Sequence, residues 1–261
     1  MTIPQAPGVI VLRPAGQAES LLQLLQDEGF YCQHFPTIRI EAFTDPYTEQ
    51  ALAELDSIDY LFFISRNAVD HFVKRLTPLQ LNNLHQSPTR IIAIGKATSA
   101  TLKVHKLPVF LAPEKADSES LLTDYALQNM KGQNAIIVRG HGGRELLRDT
   151  LVERGANVSY LEVYQRTLAD SDCHKLKTDW NKMSFFVATS NEILDNLFRL
   201  TKPCGDINPL TKSILVISDR MADHAHKLGF EEIIQAEGAG NQQIVNTLKL
   251  YREKGEIFGL E

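Results

Sequence analysis

Apolar residues along this chain come in short β-branched or aromatic runs, separated by stretches with helical spacing. Val9-Ile10-Val11-Leu12 reads as a buried strand. After the turn Arg13-Pro14-Ala15-Gly16, residues Leu21, Leu22, Leu24 and Leu25 form one helical stripe, which Gly29 stops. The same alternation predicts strands at Tyr60–Ile64, Arg90–Ile94, Ala135–Val138, Ser184–Ala188 and Ser213–Ile217, most of them followed by a polar or small residue and then a helical pattern. Short, wholly apolar strands between helices imply parallel sheets covered on both faces. The expected class is α/β.

The pattern also repeats. Ile10-Val11-Leu12-Arg13 matches Ile136-Ile137-Val138-Arg139 at a shift of 126 residues. The same shift pairs Gly16 with Gly142, Glu19 with Glu145, Leu21 with Leu147, Leu25 with Leu151 and Gly29 with Gly155. Phe62–Ser65 then meets Val187–Ser190 at a shift of 125, and Ile91–Gly95 meets Ile214–Ser218 at 123. Three blocks in one order with a slowly falling offset indicate two copies of one α/β unit. Solenoid repeats run only ~20–50 residues, so duplicated domains are expected instead.

Two segments interrupt the strand–helix rhythm at equivalent places, Phe35–Glu41 and Leu161–Thr167. Their alternating apolar and charged residues suit exposed, two-faced strands. Side by side and antiparallel, they would carry the chain between two domains twice, as a paired ribbon in place of a flexible linker.

Charge and composition narrow the function. The 261 residues carry 27 Lys+Arg against 32 Asp+Glu, a formal charge of −5, with 43% hydrophobic residues. A general nucleic-acid binder carries a basic excess, so none is expected. No apolar run reaches the ~18 residues of a membrane span. The opening MTIPQAPGVIVLRPAG lacks a basic leader region, and a cytoplasmic protein is expected. Cys32, Cys173 and Cys204 are odd in number and widely spaced, which predicts neither a disulfide framework nor a cysteine zinc site.

Polar turns follow the expected strands: Arg13–Gly16, Ser65-Arg66-Asn67, Gly95–Ser99, Arg139–Arg144, Thr189-Ser190-Asn191 and Ser218-Asp219-Arg220. Ligands of open α/β sheets bind at these ends, where first-turn N–H groups lack partners and favour anions. Any one of these Ser or Thr residues could be only a helix cap. Facing one cleft as a set, they point to an anionic small molecule. The turn Gly140-His141-Gly142-Gly143 fits neither nucleotide fingerprint, since it lacks the Lys-Ser/Thr ending and carries Glu145 where a third glycine belongs. His224 and His226, two apart on an expected helix, face different ways, which argues against a metal site there. Tyr164 lies in the second crossing segment. Its ring could be only an interface aromatic, but its phenol could also donate a hydrogen bond to a leaving group.

These residues together resemble the uroporphyrinogen-III synthase (HemD) family. The likeness rests on the opening strand with Arg13-Pro14, on Phe63–Val69 (similar to F-T-S-x-R/N-A-V), and on Ile94–Thr98 (similar to G-x-A-T). It continues through Val138–Leu147 and Val163–Arg166. The resemblance implies two doubly wound, flavodoxin-like parallel-sheet domains joined by a two-stranded β ribbon, with the first βαβ unit completing the sheet of the C-terminal domain. Residues 1–35 and 168–261 would form one domain, 42–161 the other, and 36–41 and 162–167 the connecting strands. It further implies cyclisation of hydroxymethylbilane, a linear tetrapyrrole with eight carboxylates, to uroporphyrinogen III, with inversion of ring D and loss of water. No metal or organic cofactor is implied. Nor is a nucleic-acid or membrane partner; the chain would act as a monomer, with room for a transient contact with the preceding pathway enzyme.

The family's catalytic tyrosine maps onto Tyr164 and its first-repeat threonine onto Thr98. Substrate contacts map onto Ser65, Thr98 and Ser190; Arg13, Asn67, Arg139, Gly140, Thr189 and Ser218 complete the expected site. Two departures stand out: Ile64 replaces the usual threonine, and Met221 stands where a threonine is expected. The reading from another class is a non-enzymatic two-domain clamp closing on an anionic small molecule. A nucleotide-dependent enzyme is disfavoured by the failed glycine patterns.

Overall fold

The computed structural model describes residues 7–115 and 117–258. The first six residues, read above for leader character, lie outside this range, as do residues 259–261. In chain order the elements are β1 (Gly8–Val11), α1 (Glu19–Asp27), β2 (Tyr31–His34), β3 (Ile38–Ala42), α2 (Thr48–Ala53), β4 (Tyr60–Phe63), α3 (Arg66–Val73), α4 (Pro78–Gln86) and β5 (Arg90–Ala93). There follow α5 (Lys96–Val104), α6 (Ser118–Leu122), β6 (Asn134–Gly140), α7 (Leu146–Glu153), β7 (Asn157–Leu168), α8 (His174–Lys177), β8 (Met183–Val187), α9 (Asn191–Thr201), β9 (Ser213–Val216), α10 (Asp219–Lys227), β10 (Ile233–Gln235) and α11 (Asn241–Phe258).

The chain divides into two compact units, with boundaries at Arg39/Ile40 and Arg166/Thr167. One holds a five-stranded sheet ordered β10-β9-β8-β1-β2, in which every recorded pairing is parallel. The other holds β3-β7-β6-β4-β5, parallel from β7 to β5. Strands β1, β4 and β9 are buried along their whole length, as sheets covered on both faces require. In the first unit, Leu21 and Leu25 of α1 pack with Val9, Val11, Val187 and Leu215. In the second, Phe63, Val69, Phe72 and Val138 fill one face of the sheet, and Phe62, Ile92, Ile137 and Leu147 the other.

The repeat seen in the sequence is carried through the topology with an exchange. By the matched blocks, β1 corresponds to β6, β4 to β8 and β5 to β9. The run β9-β8-β1-β2 in one sheet is therefore the counterpart of β5-β4-β6-β7 in the other. Each sheet combines strands from both copies, and the chain must cross twice to achieve it. The matched Gly29 and Gly155 do equivalent work: both end a helix at positive φ (80° and 92°), where a side chain would be strained.

The crossings are β3 and the distal half of β7, which are neighbours in the sheet. The Phe43 N–H donates to the Val163 carbonyl and the Ala169 N–H to the Thr37 carbonyl, an antiparallel progression. In the first unit the ribbon's root is buried. Thr37 is fully enclosed; its hydroxyl donates to the Ile193 carbonyl, and its own carbonyl also accepts from the Asn196 amide. Helix α9 grips the ribbon through these bonds.

One expectation fails: Cys173 and Cys204 form a disulfide. Their separation of 31 residues gave no sign of it, but α8, β8 and α9 make an out-and-back path that returns Cys204 beside Cys173. Cys32 remains free, and burial pushes its thiol up to about 11, which keeps it protonated and unreactive near neutral pH.

Candidate active site

Both sheets reverse strand order at one place, between β4 and β6 in one unit and between β1 and β8 in the other. Crevices at the carboxyl ends of such strand pairs bind ligands in doubly wound folds. Ser65 follows β4, while Arg139 and Gly140 end β6. In the other unit Arg13 follows β1, and Thr189 and Ser190 follow β8. Thr98 and Ser218 lie one strand further out, after β5 and β9. Topology thus places the expected residues at two equivalent switch points and beside them.

Ser65, Ser190 and Ser218 all cap helices. Each is extended, and its hydroxyl accepts the N–H three residues on: Ala68 at 3.1 Å, Ile193 at 3.2 Å and Met221 at 3.4 Å. A cap satisfies only one of the orphan donors of a first turn, so the anion-binding capacity of the remaining N–H groups survives. The turns differ in charge. Those opening α3 and α5 carry no acid in the first helical turn and bring Arg66 and Lys96, whereas α9 and α10 begin with Glu192 and Asp219. A polyanion therefore meets a more favourable field at α3, whereas Lys96 on α5 is already paired with Glu114 at 3.6 Å. Asn67 sits half-buried in the first turn of α3, and Thr98 is buried in that of α5. Met221 is also buried, and its N–H is spent on Ser218. Asn191, passed over as a candidate in the sequence, keeps a buried amide oxygen with no partner among the described residues.

Tyr164 is 3% exposed on β7, opposite Gly140. Its hydroxyl lies 3.1 Å from the Ser65 hydroxyl, and its ring centroid 5.7 Å from that of His71. Burial, then the charge of Lys74, holds the His71 imidazole below its ordinary range, so it is neutral around pH 7. Gly140 makes the approach possible, because a Cβ there would come within 2.6 Å of the Tyr164 ring and 3.0 Å of its oxygen. Gly140→Ala should accordingly displace the phenol: we expect a loss of turnover similar to that of Tyr164→Phe, with a destabilisation of about 1–3 kcal/mol, read from paired rate and melting measurements.

Arg139 is 2% exposed beneath the loop that follows β6. Its guanidinium donates to the carbonyls of Gly140, Gly142 and Arg144, reaches Glu145 at 3.4 Å and lies 4.4 Å from the Tyr160 ring centroid. Glu162 accepts the Gly142 N–H at 3.0 Å and pairs with His141 at 2.7 Å. This glycine-rich turn therefore presents its Gly142 donor to an internal carboxylate, where a phosphate loop would leave it open. Arg13 likewise braces a loop, donating to Asn241 at 2.6 Å and to the Ala239 carbonyl at 2.8 Å.

The family model of uroporphyrinogen-III synthase HemD matches residues 19–246. The chain belongs to this family. It is 32% identical over 252 residues to the uroporphyrinogen-III synthase of Escherichia coli (strain K12), covering 92% of this chain and 99% of that one. To that of Salmonella typhimurium (strain LT2) it is 33% identical over 246 residues, again 92% and 99%. A solved structure of a mutant uroporphyrinogen III synthase from the extremely thermophilic bacterium Thermus thermophilus superposes with a TM-score of 0.60 at 18% identity, covering 95% of this chain and 98% of the other; that likeness bears on fold alone. At the β4/β6 switch point the hydroxyls of Tyr164 and Ser65 meet directly, a contact between residues 99 apart.

Proposed function

We propose that this chain cyclises hydroxymethylbilane to uroporphyrinogen III, a hydro-lyase reaction of tetrapyrrole biosynthesis that inverts ring D and releases water. The observation that carries the reading is the Tyr164–Ser65 contact at the β4/β6 switch point, below an α3 terminus free of acidic residues. Ser65 already accepts the Ala68 N–H. When it donates its own proton to the phenol oxygen, the phenol proton is left for the departing hydroxyl group. Loss of that group gives a delocalised cation, so a positioned donor is sufficient acid. Inversion of ring D is then a matter of holding the chain ends in the required geometry.

A substrate with eight carboxylates suits many modest donors. First-turn N–H groups, with Ser65, Asn67, Thr98, Thr189, Ser190 and Ser218, supply them without a strongly basic surface. In this reading Arg13 and Arg139 contribute by bracing the loops beside the site, Gly140 by leaving room for the Tyr164 phenol, and the orphan oxygen of Asn191 suits a pyrrole N–H. Residues 36–41 and 162–167 act as connecting strands between domains 1–35/168–261 and 42–161. The chain works as a cytoplasmic monomer, in transient contact with the enzyme that supplies its unstable substrate.

The direct test incubates purified protein with freshly generated hydroxymethylbilane and separates the ring isomers. Exclusive formation of the isomer with uninverted ring D would defeat the reading. Turnover should also persist after exhaustive chelation and without added nucleotide or flavin; a loss restored by one metal would show that the chemistry needs more than these side chains. Replacing Ser65 or Thr98 with alanine, and separately Ser190, should each weaken substrate binding by roughly 0.5–1.5 kcal/mol per hydrogen bond lost, measured by titration with a non-cyclising analogue.

A further inference from the structure

Cys173, His174 and Cys204 place two sulfurs and an imidazole nitrogen within 4.8 Å of one another. The His174 Nδ1 lies 3.4 Å from the Cys204 sulfur. That spacing is close to the edge of a tetrahedron around zinc, about 3.5 Å for one nitrogen and one sulfur ligand at their usual bond lengths. Cys173 and Cys204 are buried, at 4% and 1% exposure, while His174 is exposed and can turn its other ring nitrogen to water. The two cysteine Cα atoms are 6.2 Å apart, near enough for both sulfurs to reach one ion. A cavity of about 300 Å³, lined by Phe198, Thr201, Cys204 and Asn208 among others, opens beside the pair and gives an ion or a small thiol access.

We propose that the reduced form of this cluster is a binding site for a soft divalent cation of the zinc class. Cys173, His174 and Cys204 are its three protein ligands, and water is the fourth. Formation is balanced in two steps. Two molecules of a small thiol of the glutathione class supply two electrons and two protons to the disulfide, giving two cysteine thiols and one small-molecule disulfide. The cation then displaces both thiol protons and binds the two thiolates, its charge offsetting that of two buried anions, with the neutral imidazole as third ligand. Oxidation by a small disulfide runs the sequence backwards and expels the ion. Soft thiolates beside imidazole select zinc over magnesium or calcium. In a reducing compartment, paired cysteines of this kind serve metals more often than lasting disulfides.

The cluster stands apart from the chemistry proposed above. Ser190 caps one end of α9 and Cys204 lies beyond the other, about 16 Å along an 11-residue helix. What it stands close to is the ribbon. Ala169 and Ser171, just before Cys173, bond to the carbonyls of Thr37 and Pro36, so either the ion or the disulfide ties the ribbon's root to the C-terminal end of α9.

The experiment titrates the 261-residue chain, reduced and freed of reductant without air, with Zn2+ against a chromogenic competitor, and with Co2+ as a spectroscopic probe. We expect one ion per chain, release of about two protons near neutral pH, and the thiolate charge-transfer and tetrahedral visible bands of cobalt. Cys173→Ser and Cys204→Ser should each lower affinity at least 100-fold. His174→Gln, an exposed change that spares the fold, should lower it at least tenfold, and Cys32→Ser should leave it unchanged. The disulfide form should bind at least 100-fold more weakly than the reduced form. The proposal is overturned if the reduced, folded wild type binds no stoichiometric ion. It is overturned equally if binding survives both Cys173→Ser and His174→Gln, or if the oxidised chain binds as tightly.

Discussion

Replacing Tyr164 with phenylalanine should lower turnover of hydroxymethylbilane by about 10- to 100-fold while leaving KM nearly unchanged, at or below the low end of the ~10²–10⁴-fold that a positioned acid contributes. The ring is buried against Gly140 and near His71, and phenylalanine keeps that packing. Only the hydroxyl and its bond to Ser65 are removed. A donor that acts as the substrate's hydroxyl departs interacts more strongly in the transition state than in the ground state, so its loss falls on kcat. Water can substitute in part, which is why a larger effect is not expected. Steady-state rates on protein with an unchanged melting profile provide the check. Full turnover in the variant would remove the phenol from the mechanism and leave positioning by backbone donors to account for the rate.

Arg139→Ala should be the most destabilising single change near the site, by about 3–5 kcal/mol, the usual cost of removing one member of a buried charged network. Three loop carbonyls would lose their donor, and Glu162, 16% exposed, would lose its guanidinium neighbour at 3.9 Å. The more exposed Glu145 contributes little to this sum, because solvent screens it. Such a loss lowers the melting midpoint by on the order of 10 °C in a unit of this size. Turnover should fall as well, since the His141 N–H donates to the Tyr164 carbonyl at 2.7 Å and ties the loop to the phenol's backbone. A midpoint within about 2 °C of the wild type, less than ~1 kcal/mol by the same scaling, would mean that the loop holds its shape without the guanidinium.

The amino-acid pattern alone determined the α/β class, most of the strands, the duplication and the equivalence of the two crossing segments; that these pair antiparallel came from the structure. These are local or near-local properties. A run such as Val9–Leu12 is apolar because both faces of its strand are covered, and the spacing of Leu21 and Leu25 encodes a helix face wherever that helix packs. The polar turns after the strands were legible for the same reason: the strand–turn–helix order puts them at carboxyl ends, and three of the serines cap helices as their chemistry favours.

Tertiary structure alone decided which strands share a sheet, and with that the site. Nothing local to Ser65 or Tyr164 signals that they touch across 99 residues; the contact exists because β4 and β7 flank β6 in one sheet. Arg139 belongs to the expected site because it opens a polar turn at a strand's end, yet its side chain folds back under a loop whose carbonyls no local pattern reveals. Cys173 and Cys204 were set aside on spacing, and only the return path through β8 and α9 brings their sulfurs and His174 together. Local propensity is written residue by residue along the chain. Contacts between distant residues depend on how whole elements are packed, and that information lies in the fold.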